Sequence, residues 1–380
     1  MTANAQGYVE PGWGGVGDAF AANFASAGEV GASIAVYHRG RLVAELWGGV
    51  SDVQTGAEWR DTTLMTYFSC TKGMTVTVVH RLIERGALDP DQPVARYWPE
   101  FASAGKAGIT VRMVLAHRAG LVDVPGTFTL AEVLAAEPVV AALAGMRPDW
   151  TPGTRHGYHI RSFGWLLGEL IRRQCGLAPG AAWRAEIADP LGLDAWIGLP
   201  AAAHPRCARL IPPPADEPTL ADRFGADSLT GRAFTGPSGL FRYDDMWRQP
   251  DVLAAELPAS GGVGTAGALA RMYAACIGPV DGTRLLADAT IAAAAELQSA
   301  GPDAVLGKDT SFGLGYMVGA SLPPACGPGA FGHPGAGGSL AFADPGAGLA
   351  FGYITNRMLP EDRDQRAANL VAAAYRAAGC

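Results

Sequence analysis

Lysine is scarce in this chain: Lys72, Lys106 and Lys308 stand against 26 arginines, with 13 serines among 380 residues. Random placement would give roughly 0.1 Ser-x-x-Lys pairs, yet two occur, Ser69-Cys70-Thr71-Lys72 and Ser103-Ala104-Gly105-Lys106. A serine hydroxyl becomes a nucleophile beside a base, and a desolvated lysine amine can be that base. Met74, Val78, Val79, Leu82 and Ile83 recur at helical spacing, which predicts a helix from Ser69 to Arg85 stopped by Gly86. Ser69 and Lys72 then share one face of its first turn, where outward N–H groups favour negative charge. A cation is otherwise disfavoured at that end of a helix. The second pair lies between Pro99 and Ile109 in a Gly-containing loop, so Ser103 and Lys106 are expected to be solvated loop residues.

Other reactive side chains are weaker candidates. Cys70 sits one position along the helix, about 100° away from Ser69, and is expected to be buried. His156 and His159 have no accompanying carboxylates or cysteines, so no metal is expected. Gly262-Val263-Gly264-Thr265-Ala266-Gly267 matches a dinucleotide fingerprint in letters. The segment before it, Leu253 to Ser260, does not read as a strand, and Asp281 comes too early for the ribose acid. A Gly-x-Ser-x-Gly elbow is missing, Gly236-Pro237-Ser238-Gly239 being one residue short.

Elements that could position Ser69 lie at both ends of the chain. Ala32–Tyr37 and Leu42–Trp47 flank His38-Arg39-Gly40-Arg41, and Ser339–Ala343 and Leu349–Thr355 flank Asp344–Gly348; both read as hairpins. Helical spacing recurs at Val111–His117, Phe163–Gln174, Leu269–Cys276 and Asp362–Ala378, whereas 211–260 reads as irregular. These patterns predict an α/β (α+β) fold. An antiparallel sheet would form from 1–85 and 215–380 with flanking helices, and 86–214 would be a mainly helical lobe. The cleft between them is the natural place for a site.

Composition narrows the classes. Half the residues are hydrophobic (49%) and only 17% are charged, which excludes a disordered chain. A net charge of −7 gives no basic footprint for nucleic acid. No run of about 18 apolar residues suggests a membrane span. Met1–Val9 has no basic residue or apolar run, and six scattered cysteines read as reduced thiols, so a cytoplasmic location is expected.

Phe68-Ser69-Cys70-Thr71-Lys72-Gly73-Met74 resembles the nucleophile motif of the class C β-lactamase and DD-peptidase superfamily. Gly86–Val94 and Ile109–Leu121 are similar to its next two segments, and Pro152–His159 with Phe163–Gly168 looks like its tyrosine segment. Gly332-His333-Pro334-Gly335-Ala336-Gly337-Gly338-Ser339 occupies the place of the Lys-Thr-Gly strand. Within the superfamily the pattern is most similar to the family VIII carboxylesterases. The resemblance implies a β-lactamase-like fold with Ser69 as nucleophile and Lys72 as its base. Tyr158 would be the second general base and proton shuttle. The backbone N–H groups of Ser69 and Ala336 would form the oxyanion hole, with His333 and Gly335 facing substrate.

Two departures bear on substrate. Ile160 stands where lactamases carry Asn, and His333 replaces the cationic lysine that meets a β-lactam's carboxylate. Histidine with an ordinary pKa near 6.5 is mostly neutral at pH 7 to 8. The expectation is therefore hydrolysis of short-chain carboxylic esters through an acyl-enzyme, needing no cofactor. Activity on β-lactams should gain as pH falls and His333 is protonated. The alternatives are acyl transfer to an alcohol or amine, hydrolysis of a β-lactam or D-amino-acid peptide, and a penicillin-recognising binding protein without turnover.

Overall fold

The structure, a computed structural model, describes residues 5–214, 216–218 and 220–380. Residue 215, the lobe boundary expected from sequence, lies outside the described residues. Along the main sheet the strands run Gln6–Val9, Arg41–Asp52, Gly31–His38, Leu349–Thr355, Leu340–Asp344, Phe331–Pro334, Met317–Val318, Asp309–Phe312 and Ser299–Pro302, with Ala57–Glu58 attached to Arg41–Asp52. Every pairing is antiparallel. The joint between the two ends of the chain is the pairing of Gly31–His38 with Leu349–Thr355, where Ala35 faces Gly352. Both hairpins read from the sequence are present, the first turning at Arg39 and Gly40.

One face of the sheet carries the helix Ala266–Ile277; the other carries Gly14–Ser26 and the helix Arg366–Ala378, packed against each other. The helix Cys70–Glu84 runs inside the core between strand Phe331–Pro334 and the helix Ser162–Cys175. Its residues 70–80 are all buried, so its polar side chains need internal partners. Thr75 donates to the Pro258 carbonyl (2.6 Å), Thr77 to Gly73 (2.7 Å), and the Gly262 N–H donates to Thr71 Oγ1 (2.8 Å). This helix therefore cannot shift without breaking its bonds to the segment 258–262.

Helix ends differ modestly from expectation: Val111–Leu115, Ser162–Cys175, Ala266–Ile277 and Arg366–Ala378. The literal dinucleotide match has its strand inside the motif, Gly262–Gly264, paired with Met65–Thr66 and Ala195–Ile197 in a second small sheet. Its first glycine abuts Thr71 and Met74 of the buried helix, so the motif's glycines serve close packing.

Candidate active site

From Thr63 to His80 every residue is buried except Ser69. Ser69 caps the buried helix, and the residue before it, Phe68, adopts φ +47°, a conformation unfavourable for a bulky side chain. The Phe68 ring is held edge-on between Tyr243 and Trp247, at centroid distances of 5.4 and 5.1 Å. Packing thus fixes a strained turn that leaves the serine open while its neighbours are covered.

Lys72 is fully buried beneath it. Its Nζ donates to the Ile160 carbonyl (2.7 Å) and to the Ala259 carbonyl (3.1 Å), and lies 3.3 Å from Ser69 Oγ and 4.7 Å from the centre of the Tyr158 ring. None of these partners is a carboxylate. Burial, with the nearby Arg161 charge adding to it, holds the amine well below its usual pKa. Both effects favour the free amine, whose two N–H bonds the carbonyls take up, leaving its lone pair to the serine hydroxyl. The two carbonyls that aim it belong to residues 88 and 187 positions away, with no side-chain signature in the sequence.

Tyr158 sits over Lys72 because its own N–H is held by both oxygens of buried Asp303 (3.0 and 3.1 Å). Asp303 also accepts from the Val305 and Leu306 N–H groups and from Thr310, making it the anchor of the tyrosine segment. Burial raises the Tyr158 hydroxyl above its usual range, while a contact with Ser69 acts in the opposite direction. Tyr158 is consequently a phenol at rest, with a proton to give. Its oxygen lies 3.3 Å from His333 Nε2.

His333, expected to face substrate, is 1% exposed with its ring against that of Tyr158, at a centroid distance of 5.7 Å. Burial lowers its pKa to about 3, with the Lys72 charge acting in the same direction. Gly335, expected against substrate, is a docking point. A Cβ there would lie 2.5 Å from the Tyr67 carbonyl and 3.2 Å from Cys70 Sγ, so the loop after strand Phe331–Pro334 rests on the serine turn. The Cys70 thiol donates to the His333 carbonyl (3.1 Å), and burial pushes its pKa up to about 12, which makes it a packing residue. This docking brings Ala336 to the Ser69 side of the sheet. Among the described residues, neither the Ser69 nor the Ala336 N–H has a hydrogen-bond partner. Two free N–H donors beside a nucleophile can hold a developing oxyanion.

The second Ser-x-x-Lys pair corrects its expectation. Lys106 is buried and donates to the carbonyls of Ser103 (3.0 Å), Ala144 (2.9 Å) and Met146, while Ser103 Oγ donates to Ala144 (2.5 Å). These side chains staple the loop to the end of helix Glu137–Gly145; Lys106 is withdrawn from solvent, whereas Ser103 stays exposed as expected. His159 is likewise absorbed locally, donating from Nδ1 to Gly157 (2.7 Å) and accepting the Leu121 N–H at Nε2 (3.0 Å). Among the described residues no cluster of His, Cys, Asp and Glu could hold a metal ion.

An open serine on a buried lysine, a phenol above them and two free N–H groups, framed by an antiparallel sheet and helices, make an arrangement suited to serine acyl transfer. The chain belongs to the beta-lactamase family, whose model matches residues 16–376. It is 36% identical over 367 residues to the esterase/beta-lactamase LipL of Mycobacterium tuberculosis, covering 93% of this chain and 83% of that protein. Among solved structures it is similar to a family VIII carboxylesterase (34% identity, TM-score 0.90, 98% of this chain and 100% of the other). It is also similar to a novel penicillin-binding protein homolog from Caulobacter crescentus (36% identity, TM-score 0.88, 98% and 100%).

Proposed function

We propose that this protein is a serine hydrolase of short-chain carboxylic esters, working through an acyl-enzyme in the cleft between the sheet and the helical middle of the chain. The observation that carries this reading is Lys72 Nζ buried 3.3 Å from Ser69 Oγ with two backbone carbonyls as its other partners, a setting in which burial lowers the pKa of the amine. Lys72 takes the serine proton as Oγ attacks the ester carbonyl, and the Ser69 and Ala336 N–H groups receive the oxyanion. Tyr158 gives its proton to the departing alkoxide and is re-supplied through Lys72. Water then attacks the acyl-enzyme, returning a proton along the same path and freeing Ser69. His333 orients the Tyr158 hydroxyl throughout.

Small-molecule ester substrates fit the esterase names among the relatives. No helix among the described residues is long and apolar enough to cross a membrane. All six cysteines are free thiols, which supports a reducing compartment such as the cytoplasm. The test is a turnover screen with p-nitrophenyl esters of increasing chain length, a chromogenic cephalosporin and a D-Ala-D-Ala peptide, run beside fluorophosphonate labelling. Ester turnover with label on Ser69, abolished in Ser69→Ala, is expected. Label on Cys70 or Ser103, or acylation without turnover, would overturn the reading.

A further inference from the structure

The loop 335–339 bends through two consecutive glycines in left-handed conformations, Gly337 (φ +86°) and Gly338 (φ +107°). Such a turn has no intrinsic stiffness, yet a donor in an oxyanion hole must be held to a fraction of an ångström. What holds this one comes from the far end of the chain. Arg366, the first residue of helix Arg366–Ala378, is wholly buried. Its Nη2 donates to the Gly337 carbonyl (3.0 Å) and to the Arg357 carbonyl (2.8 Å). Nη2 also meets Asp364 Oδ2 (2.7 Å), while Nε donates to Asp364 Oδ1 (2.9 Å) and Nη1 to Glu29 (2.9 Å) and Thr355 (3.0 Å). Glu29 is itself held by Tyr353 and Thr355 on the strand that joins the two ends of the chain. A Cβ on Gly338 would meet Asp364 at 2.4 Å, so the turn is seated directly on this cluster.

We propose that Arg366 is a positioning residue for the oxyanion hole: it ties the Gly337 carbonyl to the buried Glu29–Asp364 pair and so sets where the Ala336 N–H points. The inference rests on the ester-hydrolase reading above and assigns it a remote support. Removing Arg366 alone strands a buried carboxylate and endangers folding, so two variants are used. Arg366→Lys keeps the charge but cannot span the Gly337 and Arg357 carbonyls together with both acids. Glu29→Gln/Arg366→Met removes charge and partner at once. Each is measured for kcat and KM on a p-nitrophenyl ester per fluorophosphonate-labelled Ser69, and for hydrogen exchange across 335–339.

Loss of one oxyanion donor costs ~10²–10³ in kcat; a loosened donor is expected to cost about tenfold or more, with KM nearly unchanged and exchange across the loop accelerated. A merely structural role would lower melting temperature and leave kcat per labelled site untouched; that result overturns the inference, as does unchanged exchange. Failure of the ester-hydrolase reading is separate, since it would appear as an unlabelled Ser69 in the wild-type protein, and the exchange measurement reads the tether in either case.

Discussion

The Tyr158 hydroxyl donates to Nε2 of His333, because the other ring nitrogen is already spent: Nδ1 lies 2.7 Å from the Pro334 carbonyl and can only be the donor there. Burial, which lowers the His333 pKa to about 3, favours the neutral imidazole, whose lone pair then turns toward the tyrosine.

This geometry sets a substrate preference. A β-lactam's carboxylate would find no cation at the His333 position, and an unpaired buried carboxylate costs several kcal/mol. Ester turnover should exceed cephalosporin turnover at pH 8 by about 10²-fold if ~3 kcal/mol is lost. The sequence reading, with histidine at its ordinary pKa, expected this ratio to narrow below pH 6.5. With His333 lowered to about 3, the ratio should instead stay level from pH 8 to pH 5. Rates on both substrates across that range, with His333→Lys as the converse variant, decide it; comparable rates at pH 8 would refute it.

Tyr158→Phe removes the proton and keeps the ring that covers Lys72. General acid catalysis is worth ~10²–10⁴-fold, so kcat on an ester should fall at least about 10²-fold. Melting temperature should hold, because the segment is anchored through the Tyr158 N–H to Asp303. Full activity in this variant would reduce Tyr158 to packing.

Lys72 makes the pH profile a report on its surroundings. The groups around it are Cys70 on its own helix, Tyr158 and Arg161 on the tyrosine segment, His117 and His159, and His333. Burial and Arg161 both lower its pKa, so the active free amine is present above that lowered value and lost as pH falls through it. The acid limb of kcat/KM should therefore lie well below the amine's usual range, and Arg161→Met should move it to higher pH while Arg161→Lys largely restores it. An acid limb indifferent to both substitutions would remove Arg161 from the account.

The stapling pair gives a stability prediction without a catalytic one. Lys106→Met strands the Met146 carbonyl, while Ala144 keeps Ser103 Oγ and the Ser103 carbonyl keeps the residue-106 N–H, a loss of about 1–3 kcal/mol. Melting temperature should drop by a few degrees while kcat stays at the wild-type value. A fall in kcat without a fall in stability would point to a second site at Ser103.

Sequence spacing found Ser69 and Lys72 because a helix converts an interval of three into proximity. It found the hairpins because strands alternate and turns need special residues, as at Gly40. Spacing could not separate the two Ser-x-x-Lys pairs by burial: what covers Lys106 is Ala144 and Met146, about forty residues on. Backbone groups were equally silent. The carbonyls of Ile160 and Ala259 that aim Lys72 would be the same atoms on any residues. Asp303 and Arg366 do their work through contacts 145 and 29 positions away, and nothing local marks them.

The pairing of Gly31–His38 with Leu349–Thr355 has a consequence for how the protein is made. At translation rates of 5–20 residues per second, Ser69 is synthesised on the order of ten to fifty seconds before Ala336. During that interval the ribosome-bound chain holds its serine and lysine but neither Ala336, the proposed second oxyanion donor, nor the strand that joins the two ends of the sheet. The main sheet, and with it the setting of the serine, can therefore be completed only once Leu349–Thr355 has been made and has paired with Gly31–His38.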